Sequence, residues 1–398
     1  MISKSKKIIS GKTTWKFVIL LGIVSLFADM TYEGARSITG QFLTVLGASA
    51  TIVGIFAGLG EFIGYGIRLV SGYFSDRTGK YWMITISGYL LNLLAVPLLA
   101  FAGRWEIAVI LMMLERMGKA IRNPARDAML SHATKEIGRG KGFGFHEAMD
   151  QIGAMLGPLI VASIFYFNKS YPMSFGILLI PALLAIIVLL TARRLYPHPR
   201  DLEVATAGLV AKGFSRQFWF YVAAASLVGA GYVDFPLVAY HFKKVAIVSD
   251  PIIPIFYAVA MGVDALAALV LGYLYDRKGS KVLLGVVLLS SLFSPLVFWG
   301  GFSLSLLGMI LWGIGMGAQE SILRAIIGGL VPVNKRGTAY GIFNAIFGLF
   351  WFLGSALTGF LYDTSLYYLI VFSVVIQVAS IPLFYQANKP DKYLEGGD

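Results

Sequence analysis

Acidic and basic side chains recur inside stretches that are otherwise apolar, at spacings that place them on one face of a helix. Asp29, Glu33 and Arg36 stand at i, i+4 and i+7, and a helix carries such positions on one side. A second stripe runs through Gly54, Gly58, Glu61, Tyr65, Arg68 and Gly72, a third through Glu115, Lys119, Arg122 and Arg126, and a fourth through Glu147, Asp150, Gln151 and Ala154. A charge at the middle of a membrane-spanning helix costs at least about 2.5 kcal/mol, so it persists where it faces a partner or a watery cavity. The chemistry open to such groups is reversible protonation and exchange of ion-pair partners. A carboxyl whose burial changes takes up a proton in one setting and releases it in another. Asp29 and Glu33 are the first candidates for a proton-carrying site, then Asp150, then Asp234. The competing reading makes each a standing ion-pair partner of Arg36, Arg68, Arg116 or Arg122.

The remaining polar candidates belong to the wall of a solute cavity: Arg36, Glu61, Arg68, Arg116 and Glu147 early in the chain, and Tyr232, His241, Glu320 and Arg324 late in it. Setting Ser25-Leu26 on Ser226-Leu227 brings Glu33 onto Asp234, a buried carboxylate at matching depth in each half. Phe235-Pro236 follows Asp234, and proline there bends or opens a helix and frees backbone groups to line a cavity. The four histidines show no metal-ligand spacing, the chain has no cysteine, and no nucleotide loop or nucleophile motif is present. No metal, no cofactor and no enzyme activity are expected.

These side chains need a membrane-embedded frame to hold them. The chain is 57% hydrophobic and 14% charged, with a mean hydropathy of +0.75, against about 45–50% apolar and about 25% charged for a soluble domain. A helix needs about 20 residues to cross the hydrocarbon. Twelve apolar stretches of that order run from residues 15–39 at the first, through 172–194 at the sixth and 215–242 at the seventh, to 365–386 at the twelfth. An all-α membrane protein is expected, with a six-helix bundle over 1–194, a linker over 195–214 and a second six-helix bundle over 215–398. The net charge of +12 falls mostly in the even-numbered turns and at both ends. By the positive-inside bias these face the cytoplasm, where they meet anionic lipid headgroups. Nucleic acid is not needed to explain the charge.

The two bundles also share a sequence. Gly72-Tyr-Phe-Ser-Asp76-Arg77-Thr-Gly79-Lys80 returns as Gly272-Tyr-Leu-Tyr-Asp276-Arg277-Lys-Gly279-Ser-Lys281, 200 residues later, which marks an internal duplication. Between the second and third of twelve helices, this loop resembles the signature loop of the major facilitator superfamily, and the resemblance covers essentially the whole chain. It implies that Asp76 and Lys80 clamp to Asp127 on the fourth helix in the outward-open state, with Gly72, Arg77, Gly79, Asp276 and Arg277 completing the paired loops. Lys80 stands where the family usually has arginine. On the fifth helix Gly144, Gly153, Gly157 and Pro158 follow part of the glycine spacing of proton-coupled antiporters in that superfamily, with Val161 and Ala162 replacing its last glycines.

Together these features lead to a secondary carrier, placed in the bacterial inner membrane by its resemblance to the family's bacterial type, that moves a small organic or amphiphilic solute by alternating access. Proton coupling and export by antiport are the expected mode, with a monomer as the working unit. A proton-coupled uptake symporter, or a sensor or scaffold that keeps the carrier fold without transporting, are the alternatives.

Overall fold

The computed structural model describes residues 11–133, 139–197, 213–279, 281–331 and 336–388. Among them every regular element is helical. The first half contains α1 (Gly11–Val45), α2 (Ala50–Thr78), α3 (Tyr81–Leu98), α4 (Trp105–Ala133), α5 (Arg139–Asn168), α6 (Tyr171–Ile177) and α7 (Leu179–Leu195). The second contains α8 (Arg216–Gly231), α9 (Phe235–Val245), α10 (Ile253–Lys278), α11 (Lys281–Ser291), α12 (Phe293–Trp299), α13 (Phe302–Leu330), α14 (Arg336–Thr364) and α15 (Leu366–Ala387).

These helices make twelve crossings, because three of the expected spans are interrupted. The sixth is α6 followed by α7, the seventh α8 followed by α9, and the ninth α11 followed by α12. Each second segment carries a proline within its first three residues, Pro181, Pro236 and Pro295, and a residue without an N–H cannot continue the ladder of the preceding helix. Eleven crossings are long and apolar enough to span a membrane. The twelfth, α4, has the length but carries Glu115, Arg116, Lys119, Arg122, Arg126 and Asp127. An even number of crossings puts the two chain ends on one face. Most of the linker expected over 195–214, and Lys135, Arg200, Lys212 and Lys335 among the loop bases, lie outside the described residues.

The duplicated loops end their helices alike. Gly79 at φ 64° and Gly279 at φ 66° close α2 and α10, donating their N–H groups to the carbonyls of Ser75 and Tyr275, each at 2.8 Å. Glycine enters this region without the steric penalty of a Cβ.

Packing repeats the duplication. α1 pairs with α5 and α3 with α4, and six crossings later α8 pairs with α14 and α12 with α13. Between the halves α2 packs on α14 and α5 on α10, a reciprocal exchange, while α1 meets α9. Leu69, Val70, Ile187, Leu266 and Val375 are exposed, as expected of side chains whose solvent is lipid.

Candidate functional site

The two halves enclose a cavity of about 770 Å³. Its mouth lies at the face of the chain ends, where Asp127 near the end of α4, Phe143 and Gly144 at the start of α5, Leu323 on α13 and Asn344 on α14 line it. The opposite face is closed by backbone contact. A Cβ on Gly40 of α1 would lie 1.8 Å from the Pro236 carbonyl oxygen of α9, and one on Gly54 of α2 would lie 2.3 Å from the Ser355 oxygen of α14. The Asp363 carboxylate, at the end of α14, also caps α2 across the interface. It accepts from the Thr51 N–H at 2.8 Å, the Thr51 hydroxyl at 2.7 Å and the Ala50 N–H at 3.3 Å, groups that a helix N-terminus leaves without intrahelical partners.

A charge network lies between this closed face and the cavity. The Arg36 guanidinium on α1 reaches Glu33 at 4.0 Å, Glu61 on α2 at 3.6 Å and Asp234, which precedes α9, at 3.6 Å. Arg116 on α4 pairs with Glu61 at 2.8 Å and Glu115 at 3.5 Å, and Lys119 lies 3.9 Å from Glu33. From the second half, the Tyr257 hydroxyl donates to Glu33 at 2.5 Å, while Trp351 and Ser355 each donate to Asp234 at 2.9 Å. Arg36, Arg116 and Tyr32 line both the large cavity and a second one of about 50 Å³ on its closed side, so these side chains form a septum between the two.

A second polar group sits nearer the mouth, within the first half. Asp150 on α5 lies 3.9 Å from the His146 ring, His146 is 3.3 Å from the Ser25 hydroxyl, and Arg126 donates to Ser25 at 3.2 Å. Asp29 is buried beside Tyr32, with Lys119, Arg122 and Asp150 acting on it. The fully buried Arg122 guanidinium lies 4.1 Å from the Tyr89 ring centroid and 5.8 Å from that of Tyr32, an arrangement in which aromatic faces offset part of the cost of burying the cation.

Of the solute-cavity candidates, Arg36, Glu61, Arg68, Arg116, Glu147 and Glu320 border this cavity, as do Asp29, Glu33 and Asp150 of the proton-carrying candidates. Asp234 is buried behind the wall, tied to it through Arg36 and Trp351. Two candidates are elsewhere. Tyr232 is fully buried against Phe293 and Trp312, its hydroxyl bonded to the Trp312 carbonyl. His241 is buried against Phe298 and bonded to the Tyr362 hydroxyl at 3.0 Å. Both flank the break between α8 and α9 at residues 232–234. Arg324 lies on α13, with its side chain outside those described.

The residues of the expected clamp are not joined in this conformation. Asp127 pairs with Arg126 at 2.8 Å, Asp76 accepts from the Tyr81 hydroxyl at 3.4 Å, and Lys80, Arg77, Asp276 and Arg277 are exposed. On α5, Gly153 and Gly157 hold the backbone close to α1: a Cβ on either would lie 2.3 Å from the carbonyl oxygen of Leu26 or Met30 respectively. Gly144 makes no such approach, having nothing within 4 Å of an added Cβ, and Pro158 is buried inside α5. Tyr257, Trp312 and Trp351 are participants that pattern reading missed. Their only sequence signal is a polar-tipped aromatic in an apolar helix, a group that seeks a hydrogen-bond partner when buried.

Comparison with known proteins agrees with this architecture. The family profile described as Major Facilitator Superfamily matches residues 18–354 and 235–397. The chain is 39% identical over 385 residues to "Uncharacterized protein Rv2265" of Mycobacterium tuberculosis, covering 95% of this chain and 94% of that one. It is 29% identical over 366 residues to "Uncharacterized MFS-type transporter MJ1317" of Methanocaldococcus jannaschii, covering 88% and 89%. Among solved structures, the nucleoside transporter NupG superposes with a TM-score of 0.72 at 13% identity, over 93% of this chain and 98% of that one. At that identity the likeness is one of fold.

Proposed function

Because the chain belongs to the major facilitator superfamily, we propose that it is a transporter that moves a small organic or amphiphilic solute by alternating access, coupled to protons, and that it exports by antiport. The observation that carries this reading is the cavity itself. It is open at one face, sealed at the other by contacts between the halves, and divided from the sealed side by the ion pairs around Arg36. A carrier needs such a barrier, since its two gates must never open together.

On this reading the open face is cytoplasmic, in keeping with the basic loops, and the protein works as a monomer in the bacterial inner membrane. The signature-loop clamp of Asp76, Lys80 and Asp127 belongs to the opposite, outward-open state. Coupling falls to Asp29 and Asp150. Both line the cavity, they act on each other electrostatically, and neither has an Arg or Lys within 4.0 Å among the described residues. Glu33 and Asp234, each held by Arg36, serve the barrier. The partial glycine pattern on α5 supports antiport.

Proteoliposomes test the proposal. An imposed pH gradient should drive uphill movement of a solute found by screening, and solute counterflow should occur without the gradient. Asp29→Asn or Asp150→Asn should abolish gradient-driven accumulation and leave counterflow. Unchanged accumulation in both variants would remove the coupling assignment, and flux without counterflow would remove the carrier mechanism.

A further inference from the structure

The two walls of the cavity differ in how their charges are balanced. In the first half, Glu33, Glu61 and Asp127 each have an Arg or Lys within 4.0 Å, and Asp29 and Asp150, which do not, have Lys119 and Arg122 acting on them. Asp264, on α10 in the second half, has none among the described residues. It lines the cavity, is 2% exposed, and its Oδ1 has no hydrogen-bond partner. Among the described residues, the ionisable groups that act on it are Glu320 of α13, Glu147 of α5 and Glu33 of α1, all of them acids. Removed from water and surrounded by acids, this carboxyl ionises at a cost that a cation beside it would offset.

The surrounding wall suits an organic cation. Trp312, Trp351, Phe347, Met261 and Met316 share it with Asp264. The two indole N–H groups are already committed, Trp312 donating to the Val233 carbonyl at 3.0 Å and Trp351 to Asp234 at 2.9 Å. The rings therefore offer a solute their apolar and π surfaces, which attract cations, and the methionines adapt to varied shapes. Asp264 is also firmly placed: a Cβ on Gly317 of α13 would lie 2.6 Å from its carbonyl oxygen, so the backbones of α10 and α13 are in close contact there. A cavity of about 770 Å³ is in the range that holds drug-sized ligands.

We propose that Asp264 anchors the positive group of an organic cation, with Glu320 beside it and the Met316 and Trp351 side chains against the apolar part of the solute. This deepens the carrier reading and rests on it. The first-half acids have basic groups acting on them and are left to the barrier and to coupling.

Two probes of the same shape and opposite charge, tetraphenylphosphonium and tetraphenylborate, test the proposal by titration calorimetry on the full-length protein in detergent. Tetraphenylphosphonium should bind at least about tenfold more tightly than tetraphenylborate, and Asp264→Asn should weaken it at least about tenfold, the scale of one lost, partly screened charge–charge contact. Asp264→Glu, which keeps the charge, should preserve the preference. Equal or tighter binding of tetraphenylborate to the wild-type protein would overturn the proposal, and so would an unchanged affinity in a folded Asp264→Asn variant. Because the wild-type comparison needs no variant, a poorly folding substitution does not spoil the test. A protein that carried a neutral or anionic solute in proteoliposomes and ignored tetraphenylphosphonium would keep the carrier reading and lose this one.

Discussion

Arg36 of the first half and Asp234 of the second stand 3.6 Å apart, a direct ion pair between the two repeats, beside the Gly40–Pro236 contact that seals the closed face. The arginine is shared, since Glu33 and Glu61 lie on it as well. The aspartate has two further donors, Trp351 and Ser355.

This sharing makes the two ends of the pair unequal. Arg36→Gln leaves Asp234 without an Arg or Lys within 4.0 Å among the described residues and leaves Glu61 and Glu33 with only Arg116 and Lys119, and should cost about 3–5 kcal/mol, the usual scale for breaking a buried pair. Asp234→Asn leaves Arg36 with Glu33 and Glu61 and keeps an acceptor for Trp351 and Ser355, so the loss should be about 1–2 kcal/mol. Thermal unfolding of the two variants in the same detergent gives the order. Equal losses, or a greater loss for Asp234→Asn, would mean that Arg36 is not the hub.

Gly40→Ala should prevent the closed face from sealing, because its new methyl would collide with the Pro236 carbonyl, a backbone atom fixed by α9. The natural chain has no cysteine, which provides a clean background for labelling. A single cysteine replacing Ser49 should react with a membrane-impermeant maleimide from the outer face at least about threefold faster in Gly40→Ala than with Gly40 present, a shift of under 1 kcal/mol in the balance of states. An unchanged rate would show that the contact does not govern closure.

The glycines of the fifth crossing separate by the same criterion. Gly157→Ala places a methyl 2.3 Å from the Met30 carbonyl oxygen, whereas Gly144→Ala meets nothing within 4 Å. The first should destabilise by about 1–3 kcal/mol through overpacking, and the second should be within about 0.5 kcal/mol of neutral. Unfolding temperatures compare them directly. A large loss for Gly144→Ala would mean that it makes a contact in another conformation.

Sequence reading reaches the fold because its signals are local. Apolar length marks the crossings, Gly79 and Gly279 mark the ends of α2 and α10, and the i, i+4, i+7 spacing of Asp29, Glu33 and Arg36 puts them on the face that borders the cavity. It fails where a partner lies hundreds of residues away. The Tyr257–Glu33 bond spans 224 residues and the Asp363 cap on Thr51 spans 312, and no period in the chain encodes either. Tyr232 and His241 fall outside the cavity for another reason. Proline at 236 shows that the seventh crossing is disturbed, but not how the chain turns through residues 232–234.

Double electron–electron resonance on the cysteine-free chain tests the central claim, that the halves rock about the Arg36–Asp234 barrier. One spin-label pair at Thr78→Cys and Lys278→Cys reports on the open face, and another at Gly103→Cys and Gly301→Cys on the sealed face. When a transported solute or a pH change shifts the balance of states, the first distance should shorten while the second lengthens. Distances that stay fixed in both pairs, or that lengthen together, would contradict the account.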